Sequence, residues 1–234
     1  MTVLGTAADG VRLRLVGVFQ LSGADQPLPV GPATQRLLAY LALSGRAVRR
    51  SVVAGTLGAD STDPQAAARL RSALWRVPRP DGAPLVDASG DRLQLSPAVR
   101  VDYRETEQAG GDADLDSLRE DLLPDWDDDW VVVERERYRQ SRLHALEQLC
   151  ERHREAGNYA SALHAGLLAV GSEPLRESAH RQVVATHLAE GNPAEALRQF
   201  ETFRRLLRTE LGLPPSPAIR GMLDGLLGRP TDAG

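Results

Sequence analysis

Lysine and cysteine are the residue types that this sequence has least of. None of the 234 residues is lysine, so all 28 basic side chains are arginines. We interpret this mainly as a coding bias, although the planar arginine fork suits guanine and phosphate recognition. The single cysteine, Cys150, excludes an internal disulfide, and no cysteine or histidine cluster beside it suggests a metal site. We predict that Cys150 is a buried helix residue rather than a reactive thiol.

Long apolar runs and aromatic residues are also scarce. Nowhere do 18 apolar residues occur together, and the first residues lack the pattern of a secretory signal, so we expect a cytoplasmic protein with no membrane partner. Only 4% of the residues are aromatic, which leaves the core to aliphatic side chains. The remaining composition, 42% hydrophobic and 26% charged, is typical of a folded globular chain, and its length allows two domains.

The formal net charge of −4 conceals a difference between the two halves of the chain. Residues 1–103 contain twelve arginines and eight acidic residues, which gives +4. The remaining residues contain sixteen and twenty-four, which gives −8. This asymmetry indicates that the first half alone meets a polyanion.

Periodicity predicts a winged helix-turn-helix in the first half, an α+β domain over residues 11–103. Two strands come first, then three helices interrupted by a short strand, then a hairpin and a last short strand. The predicted ranges are strands 11–21 and 27–30, a helix opening at 31–32 and ending at 44–45, strand 47–49, helices 51–57 and 64–77, and strands 85–88, 92–95 and 99–101. Ser51 and Asp63 are the predicted N-caps, and Pro78 is predicted to end the third helix.

The third helix, residues 64–77, is the predicted DNA reader. At 3.6 residues per turn one face carries Ala67, Leu70, Leu74 and Val77, which we expect in the core. The other face and its flanks carry Gln65 and Ala68 together with the candidate DNA-binding residues, namely Arg69, Arg71, Ser72, Trp75, Arg76 and Arg79. Arginine can bond guanine edges in the major groove. The alternatives are a merely solvated arginine-rich face, and a Trp75 that turns sideways and packs against other elements.

Four further arginines are predicted to contact the DNA backbone. Arg92 lies near the tip of the hairpin that would form the wing, over 89–92, and could reach a minor groove or a phosphate. Arg49 and Arg50, after Arg46, lead into the second helix, whose N-terminus could also donate N–H groups to a phosphate. Arg36 on the first helix is a further phosphate candidate.

The second half, residues 104–230, is predicted to be an all-α domain of tetratricopeptide-like helical repeats. The segment 157–163, GNYASAL, recurs as 191–197, GNPAEAL, at an offset of 34 residues. That period is typical of tetratricopeptide helix pairs, with Gly-Asn in the turn and small alanines at the helix contact. His153 and His187 keep the same offset.

No constellation of residues favours an enzyme, a metal site or a cofactor. The five histidines all lie in the helical half and are dispersed at spacings that serve helix packing. The acidic cluster Asp125, Asp127, Asp128 and Asp129 lacks the spacing of a Ca²⁺ loop. We interpret this cluster as a solvated loop, with a clasp on the basic domain as the alternative.

The chain resembles the Streptomyces antibiotic regulatory protein family over nearly its full length. The segments that carry the resemblance are VRLRLVGVFQL, GPATQRLLAYLALS, GRAVRRSVV, LRSALWRV, LVDASGDRLQLSPAVRVD, WVVVERERYRQSRLHALEQL and LRTELGLPPSPAIR. The last segment resembles a mark of that family's bacterial transcriptional activation domain. The chain departs from the family pattern at Gly58, and Pro78 and Pro80 shorten its reading helix.

The resemblance implies an OmpR-type winged helix followed by a tetratricopeptide-like activation domain. Family members bind direct repeats in double-stranded DNA upstream of secondary-metabolite genes and recruit RNA polymerase with its sigma factor. The sequence therefore predicts a non-enzymatic activator whose repeat domain supplies dimer or domain contacts. The alternative is a protein-interaction adaptor in which the winged helix no longer binds DNA.

Overall fold

The computed structural model describes residues 10–24, 26–109 and 115–227. The chain forms two compact units, and each unit consists of two separate segments of the sequence. The first unit consists of residues 1–105 and 120–139, and the second of residues 106–119 and 140–234. Residues 120–139, which the sequence assigned to the second domain, thus pack with the first. The bounds 11–103 and 104–230 remain predictions for the two functional domains.

Two small sheets belong to the first unit. The four-stranded sheet has the order β3-β2-β1-β7, in which β1 pairs antiparallel with β2 and parallel with β7. The three-stranded sheet has the order β4-β6-β5 and is antiparallel throughout. The strands are β1 Val11–Arg14, β2 Gln20–Gly23, β3 Gln26–Pro27, β4 Val48–Arg49, β5 Val86–Ser89, β6 Arg92–Leu95 and β7 Arg100–Val101.

The prediction of one strand over residues 11–21 was wrong, because the chain turns between β1 and β2. Gly17 has a φ of +79°, a left-handed conformation that glycine adopts without steric cost. Beyond β1 the backbone pairs with a distant segment, since Leu123 donates to the Leu15 carbonyl at 2.9 Å and Gly17 donates to that of Asp121 at 2.8 Å. The second predicted strand, 27–30, is reduced to Gln26–Pro27.

Three helices follow β3 in the sequence of the first unit, and β4 lies between the first and the second of them. They are α1 Pro32–Ser44, α2 Arg50–Leu57 and α3 Asp63–Trp75. The predicted bounds of α1 are confirmed, with a proline in its first turn and Gly45 in the left-handed conformation after its end. The predicted N-caps were late by two residues for α2 and by one residue for α3, because Arg49 is the N-cap of α2 and Thr62 is that of α3. The helix α3 ends two residues earlier than predicted, before Pro78.

Two alanines and one leucine form the buried contact of α3. Ala66, Leu70 and Ala73 are buried, whereas the predicted core residues Ala67, Leu74 and Val77 are only partly buried. The reason is close packing: the buried Thr34 hydroxyl of α1 donates to the Ala73 carbonyl at 3.3 Å. The face that points into the core is therefore rotated from the one that leucine positions alone predict.

Residues 120–139 complete the core of the first unit with aromatic side chains. Trp126 stacks on Phe19 with ring centroids 6.0 Å apart, and Trp130 meets the edge of Tyr40 at 5.3 Å. The guanidinium of Arg135 donates to the carbonyls of Leu122, Leu123 and Trp126. These contacts hold residues 120–139 in place, although the aspartates of this segment are typical of a solvated loop.

The second unit is helical in the part that the structure describes. Its helices are α4 Asp102–Ala109, whose first residues belong to the first unit, then α5 Asp129–Glu155, which both units share, α6 Tyr159–Ser172, α7 Glu177–Glu190, α8 Pro193–Leu211 and α9 Pro217–Leu227. Helix α6 packs on α7, and α7 packs on α8. No helix within the described ranges combines the length and apolarity that a membrane crossing needs.

The two copies of the 34-residue motif form the same turn. Gly157 and Gly191 have φ values of +73° and +84°. Asn158 donates its backbone N–H to the His153 carbonyl at 2.8 Å, and Asn192 donates to the His187 carbonyl at the same distance. Each asparagine then precedes a helix, α6 or α8. The sequence repeat therefore corresponds to a repeat in backbone conformation.

Candidate nucleic-acid interface

The face of α3 that is turned away from the core is exposed along its whole length. The exposed residues are Gln65, Ala68, Arg69, Arg71, Ser72, Trp75 and Arg76, with Arg79 just beyond the helix. Trp75 is 87% exposed, so it does not pack sideways under the hairpin of the first unit. An exposed tryptophan beside arginines is unusual on a surface that meets only water.

The arginines of this face keep their charge available. Arg69 donates to the Ser61 hydroxyl at 2.5 Å, which is a neutral acceptor. Within the described residues, Arg71, Arg76 and Arg79 have no carboxylate within ion-pair distance. The surface is therefore a cationic one rather than a network of internal salt bridges.

A second group of arginines lies beside the turn of the β5–β6 hairpin. The hairpin turns at Gly90, with a φ of +58°, and Asp91, as the sequence predicted. Arg92 lies directly opposite Arg49 in the β6–β4 pair, and both are exposed. Arg92 donates to the Ala47 carbonyl at 3.2 Å, and Arg49 stands 4.0 Å from the Asp91 carboxylate. Two adjacent cations repel each other, and the Asp91 carboxylate beside Arg49 offsets part of that repulsion.

The backbone of Arg50 is hydrogen-bonded to the hairpin turn. Its N–H donates to the Asp91 carbonyl at 2.7 Å, which joins the start of α2 to the hairpin turn. Its side chain is half-buried. The structure thus gathers three of the predicted backbone contacts, Arg49, Arg50 and Arg92, in one place.

Arg36 is placed differently from the other predicted residues. Its guanidinium is half-buried, donates to the Leu57 carbonyl at 3.2 Å and forms an ion pair with Asp128. The acidic cluster is therefore not merely a solvated loop, because Asp128 clasps the basic domain. Sequence alone gave no signal for this pair, whose members lie 92 positions apart.

The single cysteine has the surroundings of a structural residue rather than those of a reactive thiol. Cys150 is buried as predicted, with its sulfur 3.6 Å from the Thr186 hydroxyl, and burial raises its thiol pKa. Among the described residues no group of three histidine, cysteine or acidic side chains could hold a metal ion.

One exposed residue on α2 was missed by sequence reasoning. Val52 is 48% exposed, although its position inside the apolar stretch SVVAG indicates a core residue. The signal that could have found it is helical spacing, because Val53 and Ala54 take the buried positions of this short helix.

Comparison with a family model agrees with the helical half of the chain. The model of the bacterial transcriptional activator domain matches residues 98–227, more than half of the chain. The chain belongs to this family. The match begins just before β7 and includes all the described helices from α4 to α9.

Two curated relatives are regulatory proteins. The chain is 25% identical to the regulatory protein AfsR of Streptomyces griseus over 252 residues, covering 96% of this chain and 26% of AfsR. It is 26% identical to AfsR of Streptomyces coelicolor, covering 94% of this chain and 24% of that protein. These similarities confirm the resemblance to the Streptomyces antibiotic regulatory protein family. The chain spans about a quarter of the length of these relatives.

A solved structure supports the fold. The chain is similar to Mycobacterium tuberculosis EmbR, solved in complex with a low-affinity phosphopeptide, with a TM-score of 0.72 and 18% identity. The alignment covers 95% of this chain and 66% of the EmbR chain. The likeness concerns the fold alone, and it confirms a mixed α+β first part followed by a helix-rich part.

Proposed function

We propose that this chain is a sequence-specific DNA-binding transcription regulator, an activator, whose first unit is a winged helix. The observation that carries the proposal is the exposed face of α3, in which Arg71, Arg76 and Arg79 lack carboxylate partners among the described residues. In this proposal α3 lies in the major groove, where arginine forks bond guanine edges and Ser72 bonds base edges or phosphate. The indole of Trp75 then packs against the wall of the groove and is no longer exposed to water.

The β5–β6 hairpin acts as the wing in this proposal. Beside its turn Arg92 lies opposite Arg49 of β4, and a phosphate between them would relieve their mutual repulsion. Arg50 and the N-terminus of α2 lie next to that point and add further donors. Arg36 contributes to phosphate binding only after its pair with Asp128 opens.

The helices α5 to α8 form the tetratricopeptide-like part in this proposal. The paired Gly-Asn turns support that interpretation, because each joins two consecutive helices and the two turns are 34 residues apart. This part supplies contacts to a second copy of the chain on direct-repeat promoter sites and recruits RNA polymerase with its sigma factor. The controlled genes then belong to a biosynthetic cluster of secondary metabolism.

The test of DNA reading is an anisotropy titration of the full chain against the DNA upstream of its own gene and against random duplex. We expect preference for the upstream DNA, and we expect Arg76→Ala to weaken that binding by about 1–3 kcal/mol, or about 5- to 150-fold. The matched control is Arg12→Ala, which removes an exposed arginine of the four-stranded sheet, 3.8 Å from Glu105. An Arg76→Ala chain that binds as tightly as the unchanged chain removes Arg76 from the reader.

The second candidate function is a protein-interaction adaptor. The 87% exposure of Trp75 favours the adaptor, because an exposed indole can also bind in an apolar groove of a partner protein. The same titration separates the two candidates. Equal affinity for upstream and random DNA, with no effect of Arg76→Ala, would favour the adaptor.

A further inference from the structure

A cavity of about 280 Å³ lies between α1, α2 and α3 of the first unit. Small side chains leave this space open, since Ala33, Ala54, Ala66 and Ala73 line it together with Gly58. Its size is near the lower end of the range of small-molecule sites, roughly 300–1,000 Å³, which are lined mainly by apolar groups with a few polar ones.

A second and larger cavity shares a wall with the first. It measures about 630 Å³, and both are lined by Arg36, Leu57, Gly58 and Arg69. Its far side is formed by residues 127–130, three aspartates and a tryptophan. The guanidinium groups of Arg36 and Arg69 therefore lie between the smaller cavity, which is mainly apolar, and the larger cavity, which has aspartates on its far side.

Two donors in this place lack an acceptor. Arg36 Nε and Trp130 Nε1 are buried and have no hydrogen-bond partner among the described residues. Nearly all buried donors in native proteins are satisfied, and leaving one unpaired costs about 1–3 kcal/mol. The edge of Arg36 formed by Nε and Nη2 can bind a carboxylate with two parallel bonds, yet Asp128 takes only Nη2.

The charges restrict what could occupy the site. Arg69 adds a second cation, and its described partner is the neutral Ser61 hydroxyl. Asp60, Asp127 and Asp129 also line the larger cavity and would repel an anion that carries more than one negative charge. A singly charged acid with an apolar body satisfies both requirements.

We propose that these joined cavities bind a small monocarboxylic acid, whose carboxylate takes the Nε and Nη2 edge of Arg36 and displaces Asp128. Arg69 and the Trp130 indole N–H are the further donors to that carboxylate. The apolar body of the acid lies between the alanines of α1, α2 and α3. Asp128 is then an internal competitor that occupies the anion position when the acid is absent.

The test is calorimetric titration of the full chain with octanoate and, as the uncharged analogue, octanamide. We expect octanoate to bind at least about tenfold more tightly than octanamide, because hydrogen bonds to charged groups contribute about 1.5–3 kcal/mol. Arg36→Ala should weaken octanoate binding by about ten- to a hundredfold for the same reason. Asp128→Asn should tighten it, because the internal competitor loses its charge.

The matched control is Arg12→Ala, which removes an exposed arginine of β1 that lines neither cavity. It should leave octanoate binding unchanged. Thermal melts of each variant show that the chain is folded, and Asp128→Asn tests the proposal even if Arg36→Ala does not fold. Equal binding of octanoate and octanamide, absence of binding to either, or weaker binding by Asp128→Asn would each overturn the proposal. The DNA titrations are separate, so this site and the DNA-binding function can fail independently.

Discussion

Gly58, the residue after α2, shows at the scale of single residues how a small side chain sets a helix contact. A Cβ at this position would lie 2.8 Å from the Cβ of Ala66 on α3 and 3.0 Å from the Ala54 carbonyl oxygen. Real Cβ atoms do not approach one another that closely, and the alanine has no flexible end that could move away. The close packing of α2 on α3 therefore requires glycine for its size, not for its backbone freedom, since its φ is −123°.

We predict that Gly58→Ala lowers the free energy of unfolding by about 1–3 kcal/mol through overpacking, measured by urea denaturation. The control is Gly55→Ala, inside α2, where a Cβ meets nothing within 4 Å. Because alanine is the better helix former, Gly55→Ala should raise the stability by about 0.5–1 kcal/mol. The same sign of effect for both variants would contradict the packing argument.

His180 illustrates, at the scale of helices, how α7 is held against α8. Its ring is buried and stacks on Phe203 with centroids 4.2 Å apart. Gln199 of α8 lies 2.9 Å from Nδ1, and the Pro174 carbonyl lies 2.9 Å from Nε2. These partners fit a neutral imidazole that accepts at Nδ1 and donates at Nε2.

Burial makes this contact depend on pH. It lowers the pKa of His180 below 6.5, against the opposing effects of the Pro174 carbonyl and of Glu177. Below pH 6.5 the unfolded chain therefore binds a proton that the folded protein does not. The stabilisation is fully present above pH 6.5 and is lost as the pH falls through the lowered pKa.

We predict that His180→Gln flattens the fall in unfolding free energy below pH 6.5, measured by urea denaturation at a series of pH values. The control is His144→Gln, which removes an exposed histidine of α5 and should leave that slope in place. A His180→Gln chain with the same slope as the unchanged protein would rule out His180 as its source.

The whole molecule combines a positive first half with a negative second half, and the proposed function uses this difference. Attraction to phosphate depends on counterion release, so the logarithm of the association constant falls linearly with the logarithm of the salt concentration, by about 0.9 per phosphate contact. A net charge of −4 over the whole chain does not oppose this, because local charges at the interface decide the release.

We predict that Arg92→Ala reduces the salt slope of DNA binding by about 0.9, whereas Arg76→Ala, which is proposed to read a base, changes affinity more than slope. The measurement is anisotropy over a range of salt concentrations. Arg198→Ala removes the same charge from α8, where the side chain is 74% exposed beside Glu195, and should not change the slope. Equal slopes for Arg92→Ala and the unchanged chain would exclude a phosphate contact at Arg92.

The sequence by itself determined the elements whose signals are local. Proline and glycine fixed both ends of α1, Gly90 and Asp91 fixed the hairpin turn, and the recurring Gly-Asn pair fixed two identical turns. The exposed arginine face of α3 could also be predicted, because helical spacing alone separates it from the core. In each case the cause lies in backbone geometry within a few residues.

Only the tertiary structure decided the contacts between distant residues. It brought residues 120–139 into the first unit, paired Arg36 with Asp128 and left Trp75 exposed. It also chose Ala66 and Ala73 rather than larger neighbours for the contact of α3. Nothing local selects such partners, since an ion pair or a close packing depends on which surfaces the whole chain brings together.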